Sequence, residues 1–215
     1  MILDWKNFFT LVIYGLPGSG KTTLLRYLIY SAAVKNEFDH CLLFSSTKGT
    51  NDYDFLDNKY KYDAFDTQVI EKYITLCQKN NEKKIKTRGL IIFDDICGEQ
   101  TFKSNLFKKL FSNYRHYGIS IIVCQQMPVE LPLAIRSIIK YGCVYKYINE
   151  SDREKIYQCF GTLSNNKKEF LELYDEYTNE KYKFMFFNQS DVYNPGSAYT
   201  GARCPSVKLE FKLNF

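Results

Sequence analysis

Residues 15–23 read GLPGSGKTT, in which Gly15, Gly20, Lys21 and Thr22 match the pattern G-x-x-x-x-G-K-[ST]. Glycines let backbone N–H groups curl round an anion, and a helix that starts there adds the positive end of its dipole. A lysine after the second glycine reaches the outer phosphates of a triphosphate, and the hydroxyl beside it can hold magnesium. The flanks are those the chemistry needs. The apolar run FTLVIY (9–14) precedes the loop, and KTTLLRYLIYSAAV (21–34) follows it with Leu24, Leu25, Leu28, Ile29 and Ala32 on one helical face. Gly15, Leu16, Pro17, Gly18, Ser19, Gly20, Lys21, Thr22 and Thr23 are therefore candidate nucleotide-binding residues, with Thr22 also a metal ligand. A Gly-rich turn without a ligand is the bland alternative, and the complete pattern in its complete context argues against it.

GLIIFDD (89–95) supplies the second part. An aspartate at the tip of a buried parallel strand can hold the same magnesium, which is the role of Asp94, and Asp95 next to it can orient or polarise an attacking water. The third part is less expected. SIIVCQQMP (120–128) ends an apolar run on two amides, Gln125 and Gln126. An amide on a strand between the two nucleotide-gripping segments can hydrogen-bond a terminal phosphate or the lytic water.

The elements that would position these groups alternate along the chain. Strand-like runs at 9–14, 40–46, 89–95, 119–124, 142–148 and 181–187 are separated by helical periodicity at 21–34, 67–79, 103–118, 151–161 and 167–177. Ser151 and Glu154 have the spacing of a capping box, and Gly118 and Gly161 that of helix stops. Residues 47–66 are polar, rich in Tyr and Asp, and read as loop. Such alternation implies one α/β domain over residues 1–215, a mostly parallel central sheet flanked by helices on both faces, with a core of about 8–188. The tail, 189–215, carries an alternating VKLEFKLNF and reads as an edge strand or an assembly arm.

A hydrophobic fraction of 45% with 25% charged residues excludes a disordered chain. A net charge of +5 permits a polyanionic partner without requiring one. The seven cysteines are scattered without a CxxC pair and read as reduced core residues of an intracellular protein, not as a disulfide framework or a zinc site. No apolar stretch approaches the roughly 18 residues that span a bilayer, so the expectation is no transmembrane segment of its own. KNNEKKIKTR (79–88) is basic, and reads either as a solvated loop or as a surface for DNA phosphates.

RHYGISIIVCQQMPVE resembles the R-x-x-G-I-…-Q-x-P segment of the FtsK–HerA superfamily of DNA-pumping ATPases. The wider stretch from LIIFDD to LAIRSIIKYGCVYKYINESDREKI is most similar to its viral branch, the genome-packaging ATPases of poxviruses, other large DNA viruses and virophages. The likeness covers about residues 8–160. It implies a RecA-like P-loop fold of the ASCE class, in which the strand ISIIVC lies between the other two and Gln126, not Gln125, senses the γ-phosphate. It also implies that an arginine, Arg136 or Arg115, reaches across a subunit interface to a neighbour's site. Asp95 departs from the Glu common in other motors.

The reading that results is an ATP- and Mg²⁺-dependent translocase that packages double-stranded viral DNA into a capsid. Lys21, Asp94, Asp95, Gln126, Arg136 and Arg115 carry its catalysis. Its partners would be DNA bound without sequence specificity, other copies of the chain in a ring of five or six, and capsid or virion-assembly proteins. It would act at the viral assembly site in the host cytoplasm and also be carried in the virion. A nucleoside or nucleotide kinase, or a nucleotide-dependent assembly switch, are the alternatives, and no Arg-rich lid or acceptor pocket supports the first.

Overall fold

Five of the six apolar runs pair as parallel strands, which is why their residues are apolar on both faces. The structure is a computed structural model and describes residues 3–47, 51–83, 85, 87–96, 98–128, 132–190, 198–206, 209–213 and 215. Strands β1 (Thr10–Tyr14), β2 (His40–Ser45), β3 (Lys61–Tyr62), β4 (Gly89–Asp94), β5 (Ile119–Gln125) and β6 (Tyr141–Tyr145) form the parallel part. Strands β7 (Lys183–Asn188) and β8 (Tyr199–Arg203) extend it antiparallel. The spatial order is β3-β2-β4-β5-β1-β6-β7-β8, so β5 lies between β4 and β1.

The helices are α1 (Lys21–Val34), α2 (Thr67–Glu82), α3 (Glu99–Lys103), α4 (Asn105–Tyr117), α5 (Leu133–Arg136), α6 (Glu150–Phe160) and α7 (Lys167–Tyr177). Helices α2, α4, α6 and α7 bury Ile70, Phe107, Ile156 and Phe170 against one face of the sheet. On the other face, α1 is the one helix among the described residues that contributes to the core. One helix is too narrow for that face. Tyr53, Phe55 and Leu56 from a turn, Leu3 from the N-terminal segment and Leu213 from the tail complete it. The aromatic abundance of the sequence is spent largely here and in the opposite core. Phe55 stacks on Phe211 at 4.9 Å between ring centroids, and Phe107 on Phe111 at 4.6 Å.

Several boundaries differ from the sequence reading, each for a local reason. The helix expected over 103–118 is two, because Ser104 leaves α3 in extended backbone and caps α4 by accepting from the Phe107 N–H. Gly118 ends α4 with φ 70°, in the left-handed region glycine tolerates. Helix α6 is capped by Asn149, whose side chain accepts from the Ser151 N–H, and not by Ser151 itself. Residues 51–53 and 58–60 form single 3₁₀ turns, and the short β3 follows them in what reads as loop from sequence. In the tail the edge strand is β8, upstream of the alternating segment. Of that segment only 209–213 and 215 are described, and they pack without forming a strand. Among the described residues no helix is long and apolar enough to cross a membrane. Six cysteines are buried free thiols, and Cys97 lies outside the described residues.

Candidate nucleotide site

Adjacent parallel strands deliver their C-terminal tips to one end of the sheet, where the crevice of such folds takes ligands. Three tips meet there. Register pairs Tyr14 of β1 with Gln125 of β5, and Asp94 of β4 with Cys124 of β5. The turn out of β1 stays joined to β5 through the Gly15 N–H, which donates to the Gln125 carbonyl at 3.1 Å.

Residues 15–20 make the loop and Gly20 caps α1. Gly20 has φ 105°, a conformation that side chains oppose, so the chain turns from strand to helix in one step. A Cβ at Gly15 would stand 2.5 Å from Ser19 Oγ and 2.8 Å from the Tyr145 ring, so the loop closes tightly on itself. Lys21 is buried, and its Nζ donates to the Gly15 carbonyl at 2.6 Å, which lays the ammonium across the cradle. Ser19 Oγ is buried with no hydrogen-bonding partner.

Asp94 is 4% exposed, although it ends a strand. Burial pushes its carboxyl up to about 6; a hydrogen bond from Tyr53 opposes that, Asp95 beside it adds to it, and the Lys21 charge lowers it. Tyr53 donates its hydroxyl to Asp94 Oδ2. Asp94 Oδ1 is buried and has no partner. A buried, unpartnered carboxylate oxygen within the field of Lys21 is the kind of hard donor that magnesium takes, so Asp94 fits the role of metal ligand.

Asp95 has φ 52°, left-handed backbone that a β-carbon disfavours by roughly 1–2 kcal/mol. It is held there on every side. Its N–H donates to the Cys124 carbonyl at 2.9 Å. Its carboxylate accepts from the Gln126 backbone N–H at 2.8 Å and from Gln126 Nε2 at 2.7 Å. The Tyr147 hydroxyl donates to the Gln126 carbonyl at 2.6 Å. Strain sustained by so many contacts is characteristic of functional sites. The two glutamines separate by strand alternation: Gln125 is buried with its Nε2 unpartnered, and Gln126 is exposed beside Asp95.

Lys21, Asp94, Asp95 and Gln126 are thus brought to one place. The arginines are not. Arg115 lies at the end of α4, three residues before Gly118, whose carbonyl accepts from the Gly89 N–H where β4 begins. Its guanidinium rests on Tyr114, with Nε donating to the Tyr114 hydroxyl at 2.8 Å. Arg136 ends α5, two residues before Ile138, whose carbonyl accepts from Thr10 at the start of β1; its Nη1 donates to the Gln158 carbonyl at 3.0 Å. Both stand toward the end of the sheet away from this chain's own loop. In the basic run, Lys84 and Lys86 lie outside the described residues, and Arg88 pairs with Glu37 at 3.0 Å.

Tyr53 and Tyr147 touch the site without any sequence signal marking them. Each is one tyrosine among 18, reaching its partner only through a turn or a strand tip placed by the whole fold.

The fold and this convergence define a P-loop nucleoside-triphosphatase domain with an amide-bearing strand between its two nucleotide-gripping strands. The chain belongs to the poxvirus A32 protein family, whose profile matches residues 4–202. It is 31% identical over 180 residues to the DNA packaging protein OPG160 of Variola virus, covering 78% of this chain and 63% of that protein. It is 27% identical over 151 residues to the uncharacterized protein 075L of Invertebrate iridescent virus 6, covering 68% of this chain and 58% of that protein. The chain thus spans 56 to 65% of the length of the first curated relatives it matches. Among solved structures it is similar to the genome packaging NTPase B204 of Sulfolobus turreted icosahedral virus 2, with a TM-score of 0.67 at 14% identity over 94% of this chain and 98% of that one. The cytoplasmic domain of the type VII secretion ATPase EccC of Thermomonospora curvata gives a TM-score of 0.62 at 11% identity, over 94% of this chain and 26% of that one. At these identities the likeness concerns the fold.

Proposed function

We propose that this protein is an ATP-driven translocase that moves double-stranded viral DNA into a capsid. The observation that carries the reading is the β4-β5-β1 order, which sets Gln126 and its Asp95 partner beside Asp94 and the loop of Lys21. A simple phosphotransferase has no need of an amide tied to the second acid, whereas a motor must register whether the terminal phosphate is present. The name of the Variola relative supports DNA packaging as the task.

The chain's own groups divide the work. Backbone N–H groups of residues 15–20 and the α1 N-terminus hold the phosphates, and Lys21 leaves the Gly15 carbonyl for the outer phosphate oxygens. Magnesium, held by Thr22 and Asp94, would neutralise developing charge on the transferred phosphoryl group. Asp95 is the acceptor for the proton of the attacking water. Gln126 keeps both Asp95 oxygens occupied, so a terminal phosphate that draws the Gln126 amide away releases Asp95 to act. Arg136 or Arg115, distant from its own loop, serves a neighbour's site in a ring of five or six copies.

DNA contacts would fall on phosphates, without sequence specificity and with steep salt dependence. Capsid or virion-assembly proteins are the docking partners, and the host-cytoplasmic assembly site and the virion the locations. The test is steady-state ATP hydrolysis with and without duplex DNA, run beside phosphate transfer to nucleosides. Stimulation by duplex and no transfer is the expected outcome; transfer to a nucleoside, with hydrolysis indifferent to DNA, would make it a kinase.

A further inference from the structure

Helix α4 divides sharply into two faces. Phe107, Leu110, Phe111 and Tyr114 are buried, and the Phe107 ring lies 5.5 Å from that of Phe93, the residue before Asp94. The other face carries Lys108, Lys109, Ser112, Arg115 and His116, all exposed. Lys108, Ser112, Arg115 and His116 stand at i, i+4, i+7 and i+8, which puts them on one stripe with Lys109 at its edge. No Asp or Glu occurs from Asn105 to Tyr117. The neighbouring helices α6 and α7 mix their charges and pair them, Lys167 with Glu154 and Arg153 with Asp175 at 2.7 Å. Among the described residues no carboxylate pairs with Lys108, Lys109 or Arg115. At the C-terminal end of α4 the stripe runs into a cavity of about 640 Å³, where Ser112, Arg115 and His116 meet Ser137, Thr162 and Ser190. Among the described residues no carboxylate lines this cavity.

We infer that this face of α4, with the cavity at its end, is the surface that holds the phosphate backbone of duplex DNA. It depends on the translocase reading above and gives that reading its DNA-contacting element. Exposed cations with no acid between them attract a polyanion. From Lys108 to His116 the stripe runs about 12 Å, a rise over which duplex DNA presents about seven phosphates on its two strands. The hydroxyls of Ser112, Ser137, Thr162 and Ser190 add neutral donors of the kind that contact phosphate oxygens.

A protein partner fits this face poorly. Protein interfaces centre on apolar and aromatic anchors and are depleted of charge at their core. Among the described residues none of the exposed large apolar side chains lies on α4. The basic run at 79–88 is less suited to DNA, because Glu82 stands within it and Arg88 is engaged by Glu37 at 3.0 Å. The position of α4 also fits a motor. Its buried face rests on Phe93, so a load that DNA places on the helix bears on the strand that ends in Asp94.

The experiment measures binding of a short fluorescent duplex of mixed sequence to the full chain by anisotropy, across a series of salt concentrations. Lys108→Gln combined with Lys109→Gln removes two charges and keeps good helix formers. Ser112→Glu places a carboxylate within the stripe. Lys79→Gln combined with Lys83→Gln removes the same charge from the other basic run. The first two should weaken binding at least tenfold at the lowest salt, and the Lys108/Lys109 variant should flatten the slope of log K against log salt by about two units. The Lys79/Lys83 variant should bind as wild type does, and hydrolysis without DNA should be unchanged in all three. Wild-type affinity and slope in the Lys108/Lys109 variant overturns the α4 surface and leaves the translocase reading intact. Weaker binding with an unchanged slope also overturns it, because lost phosphate contacts must lower the slope. A smaller assembly by sedimentation of that variant without DNA would make the face a contact between copies and overturn it too. Failure of the wild type to bind duplex overturns the translocase reading, and the surface with it.

Discussion

At the scale of single residues, the site depends on groups kept in states that water would not favour. Asp94 is buried, and burial raises its carboxyl to about 6. In the unfolded chain it ionises near 4, so folding with an ionised Asp94 is penalised as the pH rises from about 4 through 6, by roughly 3 kcal/mol for a two-unit shift. Asp94→Asn should therefore raise the melting temperature at pH 8 and lose that advantage at pH 4, while abolishing hydrolysis. Calorimetric scans at the two values check it. The same shift predicts that protons compete with magnesium below about pH 6, so apparent Mg²⁺ affinity in wild type falls as the pH drops through that value. Tyr53→Phe removes the hydrogen bond that supports the carboxylate. A bond to a charged group contributes about 1.5–3 kcal/mol, so Mg²⁺ affinity should weaken at least tenfold and the pH midpoint move upward, with metal-free nucleotide binding unchanged. Lys21→Ala should eliminate turnover without altering the circular dichroism spectrum; unaltered turnover would remove the loop from the mechanism.

At the scale of elements, caps and clamps decide where the active groups point. Gly118 ends α4 in left-handed backbone, and a Cβ there would stand 2.9 Å from the Thr87 carbonyl oxygen. Gly118→Ala is expected to cost about 1–2 kcal/mol, readable as a lower denaturation midpoint. The elements that carry Lys21, Asp94 and Gln126 were legible from sequence because each couples a local pattern to a buried strand. FTLVIY before a Gly-rich loop, and LIIFDD with its terminal acids, announce both element and chemistry. The placement of β5 between them was legible only through resemblance, since no local pattern encodes strand order. The turn that brings Tyr53 to Asp94 was not legible at all. Its sequence is polar and Tyr-rich, and its conformation is set by the apolar face that α1 leaves uncovered. The tail does supply an edge strand, but at Tyr199–Arg203: VKLEFKLNF alternates as a strand would, yet Leu213 and Phe211 pack on Phe55 to close that same face.

At the scale of the molecule, the two ends of the sheet are chemically distinct. The tips of β1, β4 and β5 bring together the phosphate loop, Asp94, Asp95 and Gln126, and the opposite end carries Arg115, Arg136 and Arg88. A guanidinium that serves catalysis from there must do so in another copy. Mixing Lys21→Ala chains with Arg136→Ala chains tests this, because complementary defects placed at one interface restore hydrolysis that neither variant has alone. No recovery, with Arg136→Ala alone as active as wild type, would transfer the role to Arg115 or remove it. The most direct measurement of the central claim is single-turnover ATP hydrolysis by Gln126→Ala, with ATP binding determined on the same sample. The account predicts nearly unchanged binding and hydrolysis slower by about 10²–10³, the usual loss for one aligned donor. Hydrolysis at the wild-type rate would contradict it.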